Sequence, residues 1–279
     1  MIISASRRCD IPRFCFDWFL QRLELGYVDV TNPFNAAQVR RVSLKPEDVD
    51  FLVFWTRDPR PLLAAQLDQY PFYMMITLTG YPEILEPNVP PAVEIIQTIK
   101  TMSEKWGRKR VIWRYDPIFF SSLTDKAFHC RNFAELAAGL SGFVDRVIIS
   151  VYDEYAGAKR RLSDLKKEQP IEILPHSAPD GSLTPELKNL VAELARIAAE
   201  AGIETRSCAE AEDLSYLGVK PGACIDGELI NDILGTKDSL SQIGSKDKNQ
   251  RRNCRCISSV DIGSYGSCKA GCIYCYAQR

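Results

Sequence analysis

Up to about residue 207 the chain alternates short β-rich runs with amphipathic segments, and this alternation constrains the fold more than any other feature. Repeated β-then-α units imply parallel strands with right-handed crossovers, hence a barrel or an open doubly wound sheet. Candidate strands cover residues 2–6, 27–31, 51–56, 72–77, 110–115, 146–151 and 204–207. The clearest helix runs over 184–201, with Thr184 as N-cap, Pro185 at the first helical position and Gly202 just past the end. Its Leu187, Leu190, Val191, Leu194, Ile197 and Ala198 recur on one face. Further helices are expected over about 91–106 and 14–25.

The strand ends favour the barrel. Asn32-Pro33-Phe34-Asn35 follows the second run, Trp55 to Pro59 the third, Thr77-Leu-Thr79 the fourth, Trp113 to Pro117 the fifth and Ser150 to Asp153 the sixth. Barrel active sites are assembled at this rim from residues on different strands. Each set is also ordinary punctuation by Pro, Asp and Asn; five in register point to a TIM-like β/α barrel, complete or partial.

After residue 208 the sequence changes. Residues 221–250 are rich in Gly, Asp, Ser and Lys and show little periodicity. The expected organisation is a barrel over 1–207 and a cysteine-rich cap over 208–279, too polar to bury a core alone. With 46% hydrophobic residues the whole chain can bury a substantial core, and a formal charge of −1 gives no global footprint for nucleic acid. No run approaches the ~18 apolar residues of a membrane span. An apolar start followed by Arg7 and Arg8 reverses the order of a secretory signal, so a cytoplasmic protein is expected. Cysteines there stay reduced, and a dense set of them points to metal or redox chemistry before disulfides.

Seven of the ten cysteines lie at or after residue 208, and the last three read Cys268-Lys-Ala-Gly-Cys272-Ile-Tyr-Cys275. Three thiolates on one short loop can hold three corners of a four-iron, four-sulfur cube and leave the fourth iron open. An open position suits catalysis, as it does for zinc. The spacing is neither a pair of zinc-ribbon knuckles nor the four-cysteine ferredoxin run. A zinc-stabilised tail is the plainer alternative.

Cys268 to Ala277 resembles the cluster loop of radical S-adenosylmethionine (SAM) enzymes, in the spelling of the spore photoproduct lyase branch. The series Asn32-Pro-Phe-Asn, Phe54-Trp-Thr-Arg-Asp-Pro and Arg114-Tyr-Asp-Pro is similar to the strand-end motifs of that branch in order. The full length, from Ser4-Ala-Ser-Arg-Arg to Tyr274-Cys-Tyr-Ala, resembles a bacterial family described only as a domain of unknown function (DUF1848). In the superfamily the cluster loop follows the first strand; here it follows all the other units. The resemblance therefore implies a circularly permuted barrel, which nearby termini tolerate, with residues 257–262 supplying the strand before the loop. No Gly-Gly-Glu follows the second strand.

The resemblance implies a [4Fe-4S] cluster on Cys268, Cys272 and Cys275, SAM as cosubstrate, an unknown substrate, and a reducing partner such as flavodoxin or ferredoxin. Rim groups suited to the SAM carboxylate and hydroxyls are Asn32, Asn35, Thr56 and Arg57, with Tyr274 beside them. Arg114 and Asp116 are the candidate catalytic pair. Cys208, Cys224, Cys254 and Cys256 suffice for an auxiliary iron–sulfur cluster or zinc, although their spacing matches no motif and buried thiols are the alternative. Cys9, Cys15 and Cys130 read as structural. The five cations between Lys246 and Arg255 could neutralise a cluster, hold an acidic substrate or simply be solvated. Two other classes remain: a non-catalytic iron–sulfur or zinc protein, electron carrier or nucleic-acid-associated module, and a hydrolase using Asp116 and Asp153 as acid and base.

Overall fold

A computed structural model describes residues 1–178, 180–235 and 245–278. Its elements in chain order are β1 (Ile2–Ala5), α1 (Ile11–Phe14), α2 (Phe16–Leu25), β2 (Tyr27–Asn32), β3 (Asn35–Ser43), β4 (Phe51–Thr56), α3 (Arg60–Leu63), β5 (Phe72–Thr77), α4 (Ala92–Trp106), β6 (Val111–Ile118), α5 (Lys126–Leu140), β7 (Arg146–Val151), α6 (Ala156–Glu168), α7 (Pro185–Glu200), β8 (Glu204–Cys208), β9 (Lys220–Gly222), α8 (Gly227–Leu234) and β10 (Val260–Asp261). β4 and β5 are buried at all six positions, the pattern of strands covered on both faces.

Eight strands form one parallel sheet in the order β10-β1-β4-β5-β6-β7-β8-β9. Alternate side chains divide between two cores. Leu52, Phe54, Met74, Trp113 and Tyr115 face the helices, where Trp113 stacks on Phe133 of α5 at 4.7 Å between centroids. Phe51, Val53, Trp55, Tyr73, Met75 and Ile112 face the other way, onto α8, Cys224, Cys254 and Cys256. Side-chain caps start the helices: Asp125 for α5, Thr184 for α7 and Asp226 for α8 each accept from backbone N–H groups.

Three expectations change. The sheet is not closed: pairing runs linearly from β10 to β9, and no ladder joins these edges among the described residues. Both edge strands are very short, and α8 together with Cys224, Cys254 and Cys256 covers the face a barrel would turn inward. The run 27–31 is not in the sheet at all. It pairs antiparallel with β3 in a two-stranded hairpin, because only Val28 of β2 is buried and its other positions are too polar for a doubly covered strand. The stretch 221–250 is less irregular than its composition implies, since it carries α8; residues 236–244 of it lie outside the described residues.

The segment after 208 contributes both edges of the sheet, β9 and β10. β10 lies parallel beside β1, with Ile3 opposite Val260 and Ser4 opposite Asp261, so the strand before the cysteine loop neighbours the first strand of the chain.

Candidate cysteine-loop site at the carboxyl ends of the strands

Asp261 fixes where the loop begins. Its carboxylate accepts from Ser4 Oγ (2.9 Å), Ser6 Oγ (2.6 Å), and the backbone N–H groups of Arg7 (2.7 Å) and Gly263 (3.0 Å). Gly263 is required by close approach, because a Cβ there would lie 2.0 Å from Ser6 Oγ. The loop then crosses to the β5–α4 connection, where Asn88 N–H donates to Ala270 O (3.2 Å) and Ile273 N–H to Leu85 O (3.0 Å). Arg161 of α6 donates to the carbonyls of Ile273 (3.0 Å), Gln278 (3.3 Å) and Cys275. Gly271 takes φ 76°, the left-handed region, within the Cys268–Cys272 spacing.

The three thiols are electrostatic neighbours of one another. Cys268 accepts from the backbone N–H groups of Ala270 and Asp10, and Cys275 from Ala277 N–H at 3.3 Å. Such N–H donors to sulfur are among the features that set the potential of a bound cluster. Burial pushes the Cys272 thiol up to about 12 against the opposing pull of Arg57. Cys9 and Cys15, read from sequence as structural, belong to this neighbourhood. Their sulfurs are 3.9 Å apart, and Cys9 feels the charge of Cys268. No three His, Cys, Asp or Glu side chains meet as a metal-ion site among the described residues.

Arg57, at the end of β4, anchors Tyr274. Its Nη1 donates to Thr79 Oγ1 (3.0 Å) and Glu86 Oε1 (2.9 Å), and its Nη2 to Tyr274 OH (2.8 Å), which donates in turn to Glu86. Burial works against the guanidinium charge, but Cys272, Glu86 and Tyr274 outweigh it and hold Arg57 well above its ordinary value. The Tyr274 ring stacks on Phe119 at 5.5 Å, sealing this side of the loop with aromatic surface.

Cys208, Cys224, Cys254 and Cys256 form a second group on the α8 side of the sheet. Cys208 and Cys224 sulfurs are 3.0 Å apart. Cys224 also hydrogen-bonds with Cys256, and Cys256 with Cys254, so the four thiols run in one chain of contacts. Cys256 Sγ accepts from Ile225 N–H at 3.3 Å and Cys254 Sγ from Cys256 N–H at 3.5 Å. The Cys224 contact and burial push the Cys256 thiol up to about 11.

Arg114 stands beside this group. It ion-pairs with Asp116, donates from Nη1 to Thr77 Oγ1 (3.3 Å) and lies 4.9 Å above the Trp55 ring. Burial disfavours its charge, yet Asp116, Cys224 and Cys208 together raise it above the ordinary arginine range. Tyr276, next to Cys275, is a neighbour of both Arg114 and Asp116 and donates to Arg7 O at 2.6 Å.

The strand-end set therefore separates. Arg57, Arg114, Asp116 and Tyr274 gather near the two cysteine groups. Thr56 is buried, its hydroxyl bonded to Asp10 and accepting from Asp58 N–H at 2.9 Å. Asn32 and Asn35 lie at the exposed tip of the β2–β3 hairpin, where their side-chain oxygens accept from Phe34 and Ala37 N–H. Their expected place at the rim is corrected, because 27–31 never joins the sheet. Asp153 is exposed and paired with Arg251, one of the basic-segment cations.

Sequence reading missed Glu86, Asp10, Asp261, Arg161 and Glu210. None sits in a motif, and each acts through contacts distant in sequence. Asp10 accepts from Arg57 N–H at 2.8 Å and is pushed by burial up to about 6. Glu210 accepts from Val151 N–H at 2.9 Å and is pushed by burial to about 7, near Asp153 and Asp116. It borders a cavity of about 810 Å³ whose walls include Tyr152, Lys159, His176 and Arg251.

No curated protein and no solved structure matches the chain. Residues 2–277 do match the family described as Domain of unknown function (DUF1848). The match takes in almost the whole chain, and this chain belongs to the DUF1848 family.

Proposed function

We propose that the chain is a radical SAM-type iron–sulfur enzyme on a partial, circularly permuted β/α barrel. The observation that carries the reading is the seating of the Cys268–Cys275 loop. It leaves a strand paired with β1 and lies against Arg57, Glu86 and Arg7 at the carboxyl ends of parallel strands. The donor set fits a cluster: three neighbouring thiols, two of them met by backbone N–H groups, on a loop containing a left-handed glycine.

Cys268, Cys272 and Cys275 would hold the [4Fe-4S] cluster. When bound with SAM, that cluster supplies one-electron cleavage of the sulfonium to methionine and a 5′-deoxyadenosyl radical that takes hydrogen from substrate. The protein's own contribution is positioning. The Arg57–Glu86–Tyr274 network fixes the loop, and the Tyr274–Phe119–Tyr152 rings exclude water beside it. The Arg114 guanidinium, paired with Asp116, suits a carboxylate. The Glu210 cavity beyond those rings is the proposed substrate space, and a flavodoxin- or ferredoxin-type donor the electron source.

Anaerobic reconstitution tests this. About four irons per chain on this loop, with an EPR signal altered by SAM and lost on replacing Cys268, Cys272 or Cys275 by Ala, are expected. Zinc alone, or a full SAM-responsive signal in all three variants, would leave the second reading. That reading, a non-catalytic iron–sulfur or zinc protein, is favoured by the four contacting thiols, which need no substrate.

A further inference from the structure

We propose that Cys208, Cys224, Cys254 and Cys256 form a closed four-thiolate metal centre, separate from the Cys268–Cys275 loop and independent of any SAM chemistry there. Four thiolates complete either one tetrahedral zinc or an iron–sulfur cluster with no iron left open. A closed set is suited to structure or electron storage; a three-cysteine loop is suited to substrate access.

Three observations converge on it. First, residues from the end of β8, the turn before α8 and the segment before β10 bring four thiols into one run of contacts, although 47 residues lie between the first and the last. Cys224, Cys254 and Cys256 are each at most 5% exposed and Cys208–Cys224 is 3.0 Å. Sulfurs bound at about 2.3 Å to one tetrahedral ion stand roughly 3.8 Å apart, so this spacing is of ligand scale. The four are strung in a row and do not yet share one centre. Rotation about the Cα–Cβ bonds, between staggered wells, is the motion that would bring them to one centre.

Second, the charge around the row is that of an anion site. Arg114 and Arg7 both lie in the field of Cys224, and Arg7 in that of Cys256. Each guanidinium has a carboxylate partner, Asp116 for Arg114 and Asp261 with Asp247 for Arg7, and four thiolates on a divalent ion would add net negative charge to the same field. Third, Arg114 Nε is buried with no hydrogen-bond partner among the described residues, while its other nitrogens serve Thr77 and Asp116. An orphaned N–H on a guanidinium in the field of Cys208 and Cys224 is costly beside neutral thiols and better compensated beside thiolates.

The segment itself has reason to need the metal. α8 spans only eight residues, and the face it covers includes Trp55, Tyr73 and Ile112. Four cross-linked ligands would hold this short cover on the sheet, as metal does in small domains generally.

The test starts from the Cys268→Ala/Cys272→Ala/Cys275→Ala protein, in which the loop can hold no cluster. Its metal content, after anaerobic purification and after incubation with zinc or with iron and sulfide, is expected to show one remaining centre. Zinc uptake of about one per chain reports the single ion and iron uptake the cluster; either supports the site. Adding Cys224→Ser and Cys256→Ser should remove that metal. Retention of metal by this fivefold variant overturns the proposal, as does an intact mass of the wild type lighter by four hydrogens, reporting two disulfides. Because the fivefold variant can fail to fold, thiol alkylation of the wild type gives a second measurement. A chelator should increase labelling of all four cysteines at least tenfold, and unchanged labelling rejects the site. Failure of the radical reading shows only in the loop's SAM response and leaves these readouts untouched.

Discussion

On one face of the sheet Phe54, Met74 and Trp113 pack against helices of 10 to 16 residues; on the other, Trp55, Tyr73 and Ile112 meet an eight-residue helix and buried cysteines. Ring stacking and apolar burial close the first face without help. On the second, the cover is short and carries thiols where a self-sufficient core would carry leucines. A face closed by apolar volume is expected to be stable in any redox condition, whereas a face closed by cysteines responds to what the cysteines bind.

The largest effect is expected at Trp113, whose ring is fully buried and whose Nε1 donates to Leu78 O at 2.8 Å. Trp113→Ala should cost about 3–5 kcal/mol, measured by urea denaturation, and the loss should be equal before and after chelation. A loss that shrank sharply in chelated protein would mean that the two faces unfold as one metal-dependent unit.

Glu86→Ala probes the boundary between fold and site. It removes the acceptor shared by Arg57, Thr79 and Tyr274 and leaves a buried guanidinium uncompensated. Breaking a buried pair from one side costs on the order of 3 kcal/mol. Tyr274 should also lose one of its two anchors, keeping only Arg57, so alkylation of Cys272 should accelerate while that of Cys224 stays constant. Equal acceleration at both would erase the distinction between the two cysteine groups.

A smaller effect tests the helical face by titration. His129 is fully buried, its Nδ1 hydrogen-bonded with Tyr115 OH at 2.8 Å, and burial lowers its pKa to about 4. Because the folded value lies below the unfolded one, the unfolded chain binds the extra proton. The stabilisation is complete above about pH 6.5 and is lost as pH falls toward 4, with roughly 1.4 kcal/mol gone at pH 5.5. His129→Gln should flatten that part of the stability profile. Parallel profiles for wild type and variant between pH 5 and 7 would show that His129 takes up its proton without opening the core.

What was legible in the sequence follows the same division. β4, β5 and β7 fall at the residues expected because each is a continuous apolar run, and α7 because cap, proline and glycine mark both ends. β2 was legible as a strand and misplaced in the sheet, since alternating burial is a property of its partner β3 as much as of itself. β9 and β10 have two or three residues, too few for any period to register. At the site, Cys268, Cys272 and Cys275 announce themselves by spacing. Glu86 and Asp10 do not, because their partners Tyr274 and Arg57 are 188 and 47 residues away. The closeness of Cys208, Cys224 and Cys256 is likewise a product of β8, α8 and β10 meeting, which no local spacing encodes.

The smallest effect is expected at the hairpin that the strand-end pattern mistook for part of the rim. Asn32 and Asn35 cap backbone N–H groups at its tip, next to Phe34, which is 93% exposed. Among the described residues the side-chain hydrogen bonds of Asn32 and Asn35 stay within the hairpin, to Phe34, Ala37 and Gln38. Replacing both by Ala removes three solvent-exposed contacts, the two turn caps and the Asn32–Gln38 hydrogen bond, and exposed changes of this kind usually lie within about 0.5 kcal/mol. The double variant should keep the metal content, the cluster absorption and the SAM response of the wild type. A variant of wild-type stability whose SAM response is abolished would place the hairpin tip in the site after all. In that event β2 and β3 would have to fold over the carboxyl ends of the strands when SAM binds, and the division between a closed helical core and a cysteine-bearing face would need a third, mobile member.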